Sequence, residues 1–332
     1  MSDALDKGAW DGGAWDGRAL PPHRYRAFGL LIASELALPE LASMRDDSGA
    51  APDVTIRLEA PGDPAGVAWP PRLRPDARGA TLAVAGAARY RIEDGCRIGI
   101  APYPAAPERD IRLYLLGSAF GVLCHQRGVL PLHGNAVIVD GRAMAFCGHS
   151  GIGKSTLAAH FAARGYALLC DDVCVVSFDA AGRPLAWPGL PRLKLWRDAA
   201  ENFGHDPGTL ERAIQDKDKY HVPNAAVTAP GPFPLARVYL LSDAAESIAI
   251  SPVAGVSSIQ AIMAQTYRKV YLRPMGLVGA NIEQATRIAQ HAQVFAAPRR
   301  RGFDCFADEA ARLERHMAQD DAAPVARAEG SR

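Results

Sequence analysis

Apolar positions along this chain fall into two regimes. From Tyr25 to about Pro107 they come in short runs of period two, separated by turn residues, which predicts short strands. The segment YRAFGLLIASELALPEL opens the region, and DVTIRLE (Asp53 to Glu59) follows. TLAVAGAARYRIEDGCRIGIA (Thr81 to Ala101) then alternates and breaks at Glu93-Asp94-Gly95, where Asp-Gly signals a hairpin. Proline and glycine punctuate residues 61–80, which predicts a loop. Together these signals describe a small antiparallel β unit over residues 22–107.

From Asp110 to Arg127 the spacing becomes helical, with Gly128 as a C-cap. Strands are predicted at Val129 to Leu132, Ala136 to Val139 and Ala143 to Cys147, the last two joined by an Asp140-Gly141 turn. A helix over Lys154 to Arg164 and strands at Tyr166 to Cys170 and Val173 to Phe178 come next. Strands mixed with helices place residues 108–317 in the α/β class. Residues 1–21 carry GAWDG twice, at Gly8 to Gly12 and Gly13 to Gly17. They read as a disordered tail, as do the polar, alanine-rich residues 318–332.

Composition narrows the classes. The chain has 332 residues, 48% of them hydrophobic, enough to build a substantial core. Lys plus Arg is 37 and Asp plus Glu is 36, a net charge of +1, which argues against a dedicated nucleic-acid binder. The six cysteines form no C-x-x-C pair and suit neither a zinc site nor a disulfide framework, so buried free thiols in a reducing compartment are expected. No apolar run reaches the ~18 residues of a membrane span, and the N-terminus lacks an apolar signal core. The expectation is a cytoplasmic protein without membrane or nucleic-acid partners.

The chemistry concentrates after the third of these α/β strands. Residues Gly148, His149, Ser150, Gly151, Ile152, Gly153, Lys154, Ser155 and Thr156 follow the apolar strand AMAFC and open a helix. They fit G-x-x-x-x-G-K-[ST]. Glycines let successive backbone N–H groups turn inward around an anion, and the helix N-terminus adds its dipole. Lys154 supplies a mobile charge for β and γ oxygens, and Ser155 a hydroxyl for Mg²⁺. A glycine turn that binds nothing is the bland alternative, but the strand–loop–helix context favours phosphate. Only six residues of the chain are Lys, and one falls on the functional position.

Asp171-Asp172 ends the next apolar run. A carboxylate there can hold Mg²⁺ or take a proton from an attacking hydroxyl, although an Asp pair is also common turn chemistry. His133-Gly134 follows VLPL, where a lone histidine is more often structural than catalytic.

The arrangement His133-Gly134, GHSGIGKS and Asp171-Asp172 resembles the catalytic half of the HPr kinase/phosphorylase family, with intervals of 15 and 23 positions. The resemblance covers about residues 128–180. It implies a phosphoenolpyruvate-carboxykinase-like fold with a mixed sheet around the loop, and ATP or another nucleoside triphosphate with Mg²⁺ gripped by Lys154 and Ser155. It further implies that one of Asp171 and Asp172 is the general base and the other helps the metal, with His133 close to the transferring phosphate. Two features depart from the family: Thr156 stands where it carries Glu, and E-x-R-G-x-G is absent, WPGLPRLKLW (Trp187 to Trp196) standing in its place. The N-terminal segment is similar instead to HPr-kinase-related proteins that phosphorylate a lasso precursor peptide on serine. A peptide or small-molecule hydroxyl is therefore the expected acceptor, and a homo-oligomer is compatible with the family.

Arg192 and Lys194 alternate in a predicted strand, Lys217 and Lys219 fall in DKDKY, and Arg268 follows Thr266-Tyr267 near the end of a predicted helix. Each can neutralise a phosphoryl group or grip an acidic substrate, and each can equally be a solvated charge. The run Arg299-Arg300-Arg301 reads as surface. The competing functions are a nucleotide hydrolase or switch, a small-molecule kinase including a carboxykinase-like reaction, and a catalytically weak nucleotide-binding interaction module.

Overall fold

A computed structural model describes residues 19–67, 70–190, 192–213, 218–223, 231–246 and 248–319. The two expected tails fall mostly outside the described residues, and Lys217 lies outside them as well.

The hairpin of β1 (His23–Ala27) and β2 (Leu30–Ser34) turns on Phe28-Gly29, both at positive φ. With β3 (Val54–Leu58), β4 (Arg72–Pro75), β5 (Gly79–Val84), β6 (Ala88–Glu93) and β7 (Arg97–Pro102) it forms a seven-stranded sheet, ordered β1-β2-β3-β7-β6-β5-β4. This unit is mixed rather than antiparallel as expected. β2 pairs β3 in parallel, and β3 pairs β7 in parallel. The long return after β2, which carries a 3-10 turn at Pro39–Met44, brings β3 in alongside β2 in the same direction, which a tight hairpin cannot do. β4 lies inside the stretch expected as loop; RLRP is an exposed, charged edge strand with too little apolar content to announce itself.

The helix predicted after this sheet is present as α1 (Glu108–Tyr114), a π-helical turn at Leu115–Ala119 and α2 (Phe120–Gln126). Its apolar face packs on Tyr90, Ile92 and Ile98 of the first sheet, and the same core takes in Val173, Leu190 and Tyr267 from later in the chain.

The second sheet has nine strands. β8 (Leu130–Leu132), β9 (Gly134–Val139), β10 (Arg142–Cys147), β11 (Ala167–Cys170), β12 (Cys174–Phe178) and β13 (Pro184–Ala186) come first, with α3 (Lys154–Ala163) between β10 and β11. A separate two-stranded ribbon of β14 (Arg192–Trp196) and β15 (Lys219–Pro223), with α4 (Arg197–Asn202) between them, lies beside α3. The long β16 (Phe233–Asp243), then β17 (Ser251–Pro252) and β18 (Gln293–Arg299), complete the sheet. β10 pairs β16 and β16 pairs β18 in parallel, while the flanking pairs are antiparallel. The expected α/β class with a mixed sheet around the loop is what the chain forms.

Strand alternation explains the layers. Val137, Met144, Phe146, Tyr239 and Leu241 point to one face, where α3 and α7 (Phe303–Met317) cover them with Leu157, Phe161 and Leu313. Ala136, Ala145, Cys147 and Val238 point to the other, under α5 (Gly255–Ala264) and α6 (Val278–His291). Among the described residues no helix is long and apolar enough to cross a membrane. All six cysteines are free, five of them buried.

Candidate functional site

The three mutually parallel strands β10, β16 and β18 end on one edge of the sheet, the place where open α/β sheets bind ligands. β10 runs into the glycine loop and the loop into α3. Gly153 caps α3 in the left-handed region at φ 86°, and a Cβ there would overlap the Arg299 guanidinium. Ile152 is buried in the core beneath the loop, whereas His149, Ser150 and Gly151 form its exposed tip. Thr156 lies part-buried in the first turn of α3.

The buried Lys154 amine is held inside its own loop. It donates to the carbonyls of Gly148 at 2.8 Å and His149 at 3.1 Å, and lies 3.1 Å from His133 Nε2. Because an ammonium only donates, Nε2 is the acceptor there, which places the imidazole proton on Nδ1. Nδ1 in turn lies 3.2 Å from the Asp172 carbonyl and 3.6 Å from its carboxylate. Burial, then the charge of Lys154, pushes the His133 pKa down, consistent with this neutral tautomer. Burial also lowers the pKa of Lys154 against the pull of Asp172. Gly134, the partner of His133 in the sequence pattern, lets β9 approach β10: a Cβ there would sit 2.7 Å from the Phe146 carbonyl oxygen.

The two adjacent aspartates do different things. Asp171 is buried; its Oδ1 accepts from the Ser155 hydroxyl at 2.9 Å and its Oδ2 from the Lys194 backbone N–H at 2.9 Å. Burial and then the charge of Asp172 raise its pKa. Asp172 sits in the left-handed region at φ 71°, which turns its side chain the other way, and that side chain keeps 28% of its surface exposed. Its Oδ2 accepts from Lys194 Nζ at 2.9 Å. Burial works to raise its pKa, but Lys194 and then His133 outweigh it and hold the carboxyl well below the usual range. Asp171, Asp172 and Lys194 line a narrow cleft of ≈ 10 Å³ open interior together with Phe28 and with Arg112, Leu113, Leu116 and Gly117 of the α1–π segment.

Of the remaining basic residues, Lys194 is in the site. Lys219 lies close enough for its charge to act on His133, Lys154 and both aspartates. Arg268 lies just past the end of α5, at φ 53°; its guanidinium stacks over Tyr267 at 5.1 Å, within electrostatic reach of Asp172. Arg192 belongs to β14 two residues before Lys194.

The run Arg299-Arg300-Arg301 is not all surface. Arg299 is 6% exposed and donates Nη2 to the Ile152 carbonyl of the loop, whereas Arg300 pairs with Glu309 and Arg301 with Asp243. Asp243 also lies 3.5 Å from His149 Nε2. A triple-arginine run looks like a solvated patch, and only the pairing of β18 with β16 reveals that its first member ends a buried strand. Asn135 was missed as well: fully buried on β9, it donates Nδ2 to the Lys154 carbonyl, and nothing in its sequence neighbourhood marks it.

The arrangement suits a polyphosphate. Loop N–H groups, the α3 N-terminus and Lys154 favour an anion. The Ser155 hydroxyl and Asp171 carboxylate form a hard oxygen pair. That fits Mg²⁺, which typically takes one or two protein oxygens and completes its shell with phosphate and water. Among the described residues no cluster of three or more His, Cys, Asp or Glu holds a metal by itself.

No family model matches the chain, and no curated protein matches it. Among solved structures, it is similar to the HPr(Ser) kinase/phosphatase from Coxiella burnetii at a TM-score of 0.31 and 13% identity, over 56% of this chain and 90% of that one.

Proposed function

We propose that this protein is a Mg²⁺-dependent kinase that transfers the γ-phosphoryl group of ATP, or another nucleoside triphosphate, to a hydroxyl. One observation carries the reading: Ser155 and Asp171 face each other at 2.9 Å beside Lys154, while Asp172, one residue away, turns into the cleft and pairs with Lys194 at 2.9 Å. Metal-side and acceptor-side carboxylates are thus neighbours in sequence, with the second at a left-handed backbone position.

In the proposed step the acceptor oxygen bonds to the γ-phosphorus and the bond from that phosphorus to the β,γ-bridging oxygen breaks. The nucleoside diphosphate leaves with that electron pair, and the hydroxyl proton passes to Asp172. Its low pKa keeps Asp172 ionised and suits a late transfer, since the hydroxyl becomes acidic only as the new bond forms. Lys154, the loop N–H groups and, further out, Lys219 stabilise charge on the moving phosphoryl oxygens. His133 holds Lys154 in place through Nε2. Ser155 and Asp171 would hold a Mg²⁺, which would supply positive charge to the phosphate. The similarity of the N-terminal segment to lasso precursor kinases supports a peptide hydroxyl as acceptor. The water-sized cleft supports a second reading, hydrolysis with water as acceptor.

Equilibrium binding of a fluorescent ATP analogue, paired with turnover, tests the division of labour. Asp172→Asn is expected to retain binding while losing roughly 10²-fold or more in turnover, the size of a general-base contribution. Asp171→Asn and removal of Mg²⁺ by chelation are expected to weaken binding itself. Equal loss of binding and turnover in Asp172→Asn would place that carboxylate on the metal instead.

A further inference from the structure

Phe28 stands where local chemistry does not want it. The β1–β2 hairpin closes on two residues, Phe28 at φ 58° and Gly29 at φ 76°. Two-residue hairpin turns with positive φ at both positions favour Asn, Asp or Gly; a bulky L-residue at the first is strained. That conformation persists only where surroundings impose it. Here they do: the Phe28 N–H donates to the Pro188 carbonyl at 2.8 Å, its ring meets Phe120 at 5.6 Å, and Gly29 lies flat on the Trp187 indole. Phe28 is 3% exposed and lines the cleft together with Asp172 and Lys194.

The other features of the same wall are also irregular. Leu116 and Gly117 belong to the π-helical turn between α1 and α2, a local deviation that recurs at functional sites. Leu113, half-buried in α1, completes the apolar side. The turn of the first sheet and the helix that follows it therefore contribute apolar lining to the cleft that holds the acceptor-side carboxylate.

We infer that this seam is the acceptor subsite, and that Phe28 and Leu113 set the width of the hydroxyl-bearing arm it admits. The inference rests on the kinase reading above. The occupant is the uncharged hydroxyl end of a slender alkyl arm: the charges that line the cleft are already matched, Asp172 with Lys194 and Arg112 with Glu40 and Glu108, its other lining from the first half of the chain (Phe28, Leu113, Leu116 and Gly117) is apolar, and the open interior of ≈ 10 Å³ has room for the hydroxyl alone. A branch beside the hydroxyl has no room between the walls.

The test uses the full chain with Mg²⁺ and γ-labelled ATP, and two acceptor probes, N-acetylserinamide and N-acetylthreoninamide, which differ by one methyl at the hydroxyl carbon. The readout is the ratio of the two labelling rates, which does not depend on how much protein is folded. The native chain is expected to favour the serine probe by roughly tenfold or more, the usual worth of one methyl group in a tight pocket. Leu113→Ala and Phe28→Asn, the second of which also restores turn-favoured chemistry, are expected to bring the ratio towards one. A native ratio near one, a ratio unchanged in both variants, or no labelling of either probe while nucleotide hydrolysis still depends on Lys154, would overturn the assignment. Nucleotide turnover that survives Lys154→Ala would instead remove the kinase reading on which it stands.

Discussion

Arg299 shows most plainly how a single side chain shapes this site. Its guanidinium fills the space left by the missing side chain of Gly153 and donates to the carbonyl of Ile152, so the loop and the end of β18 are tied together. Burial lowers its pKa, with Glu309 acting in the opposite direction. Replacing it by Met removes a charge-assisted hydrogen bond of about 1.5–3 kcal/mol. Arg299→Met is therefore expected to weaken ATP binding, read by calorimetry, by roughly tenfold or more, with Arg299→Lys weakening it less. Unchanged affinity in Arg299→Met would show that the loop keeps its shape without this brace. At the same scale, legibility followed locality. Gly148 to Ser155, Asp171-Asp172 and His133 were readable because each motif is contiguous and its spacing encodes its chemistry. Arg299, Asn135 and Phe28 were not, because their roles depend on contacts outside their own sequence neighbourhood: Arg299 with Ile152, Asn135 with Lys154 and Phe28 with Pro188. The roles of Asp171 and Asp172 were equally hidden: only the left-handed turn at Asp172 separates their directions.

Among elements, α2 links the site to the first sheet. His125 on α2 is buried and its Nε2 lies 3.0 Å from the Tyr267 carbonyl, next to Arg268. Burial pushes its pKa down from 6.5 to about 4. Because the folded-state value is depressed, the associated stability is fully present above 6.5 and is lost as pH falls through the folded value. Between 6.5 and about 4 the unfolded chain takes up a proton that the folded chain refuses. At 1.36 kcal/mol per pH unit this amounts to about 3 kcal/mol. Urea unfolding across this window is expected to show that loss, and His125→Gln is expected to flatten it. An equally steep dependence in His125→Gln would assign the acid sensitivity elsewhere. The element pattern itself was largely visible. Periodicity gave the first five strands of the second sheet and the helix after the loop, because their faces are cleanly apolar, whereas β13, β16, β17 and β18 were not read from the sequence. β4 escaped because an edge strand exposed to solvent carries little apolar signal, and the parallel entry of β3 escaped because direction is set by the connection, not by the strand.

At the scale of the whole molecule, one core runs from the first sheet through α1 and α2 into Val173, Leu190 and Tyr267 beside the acidic pair. A shared core predicts that the two sheets unfold together, in one calorimetric transition. A ligand bound only by the folded chain raises stability by about 2.7 kcal/mol at a hundredfold excess over its Kd. Mg²⁺-ATP is thus expected to shift that single transition upward as a unit, and not at all in Lys154→Ala. Two separate transitions, only one of which responds, would break the coupling between the phosphate loop and the N-terminal wall.

The central claim is that the Lys154 loop and the Asp171–Asp172 pair transfer a phosphoryl group to a hydroxyl. It is tested most directly by incubating the native chain, Lys154→Ala and Asp172→Asn with γ-³²P-ATP, Mg²⁺ and hydroxyl-bearing peptides, and following label on peptide and in free phosphate. Label on a peptide hydroxyl that disappears in both variants is the expected result. Release of free phosphate alone, dependent on Lys154 but never reaching a hydroxyl acceptor, would contradict it and leave a nucleotide hydrolase.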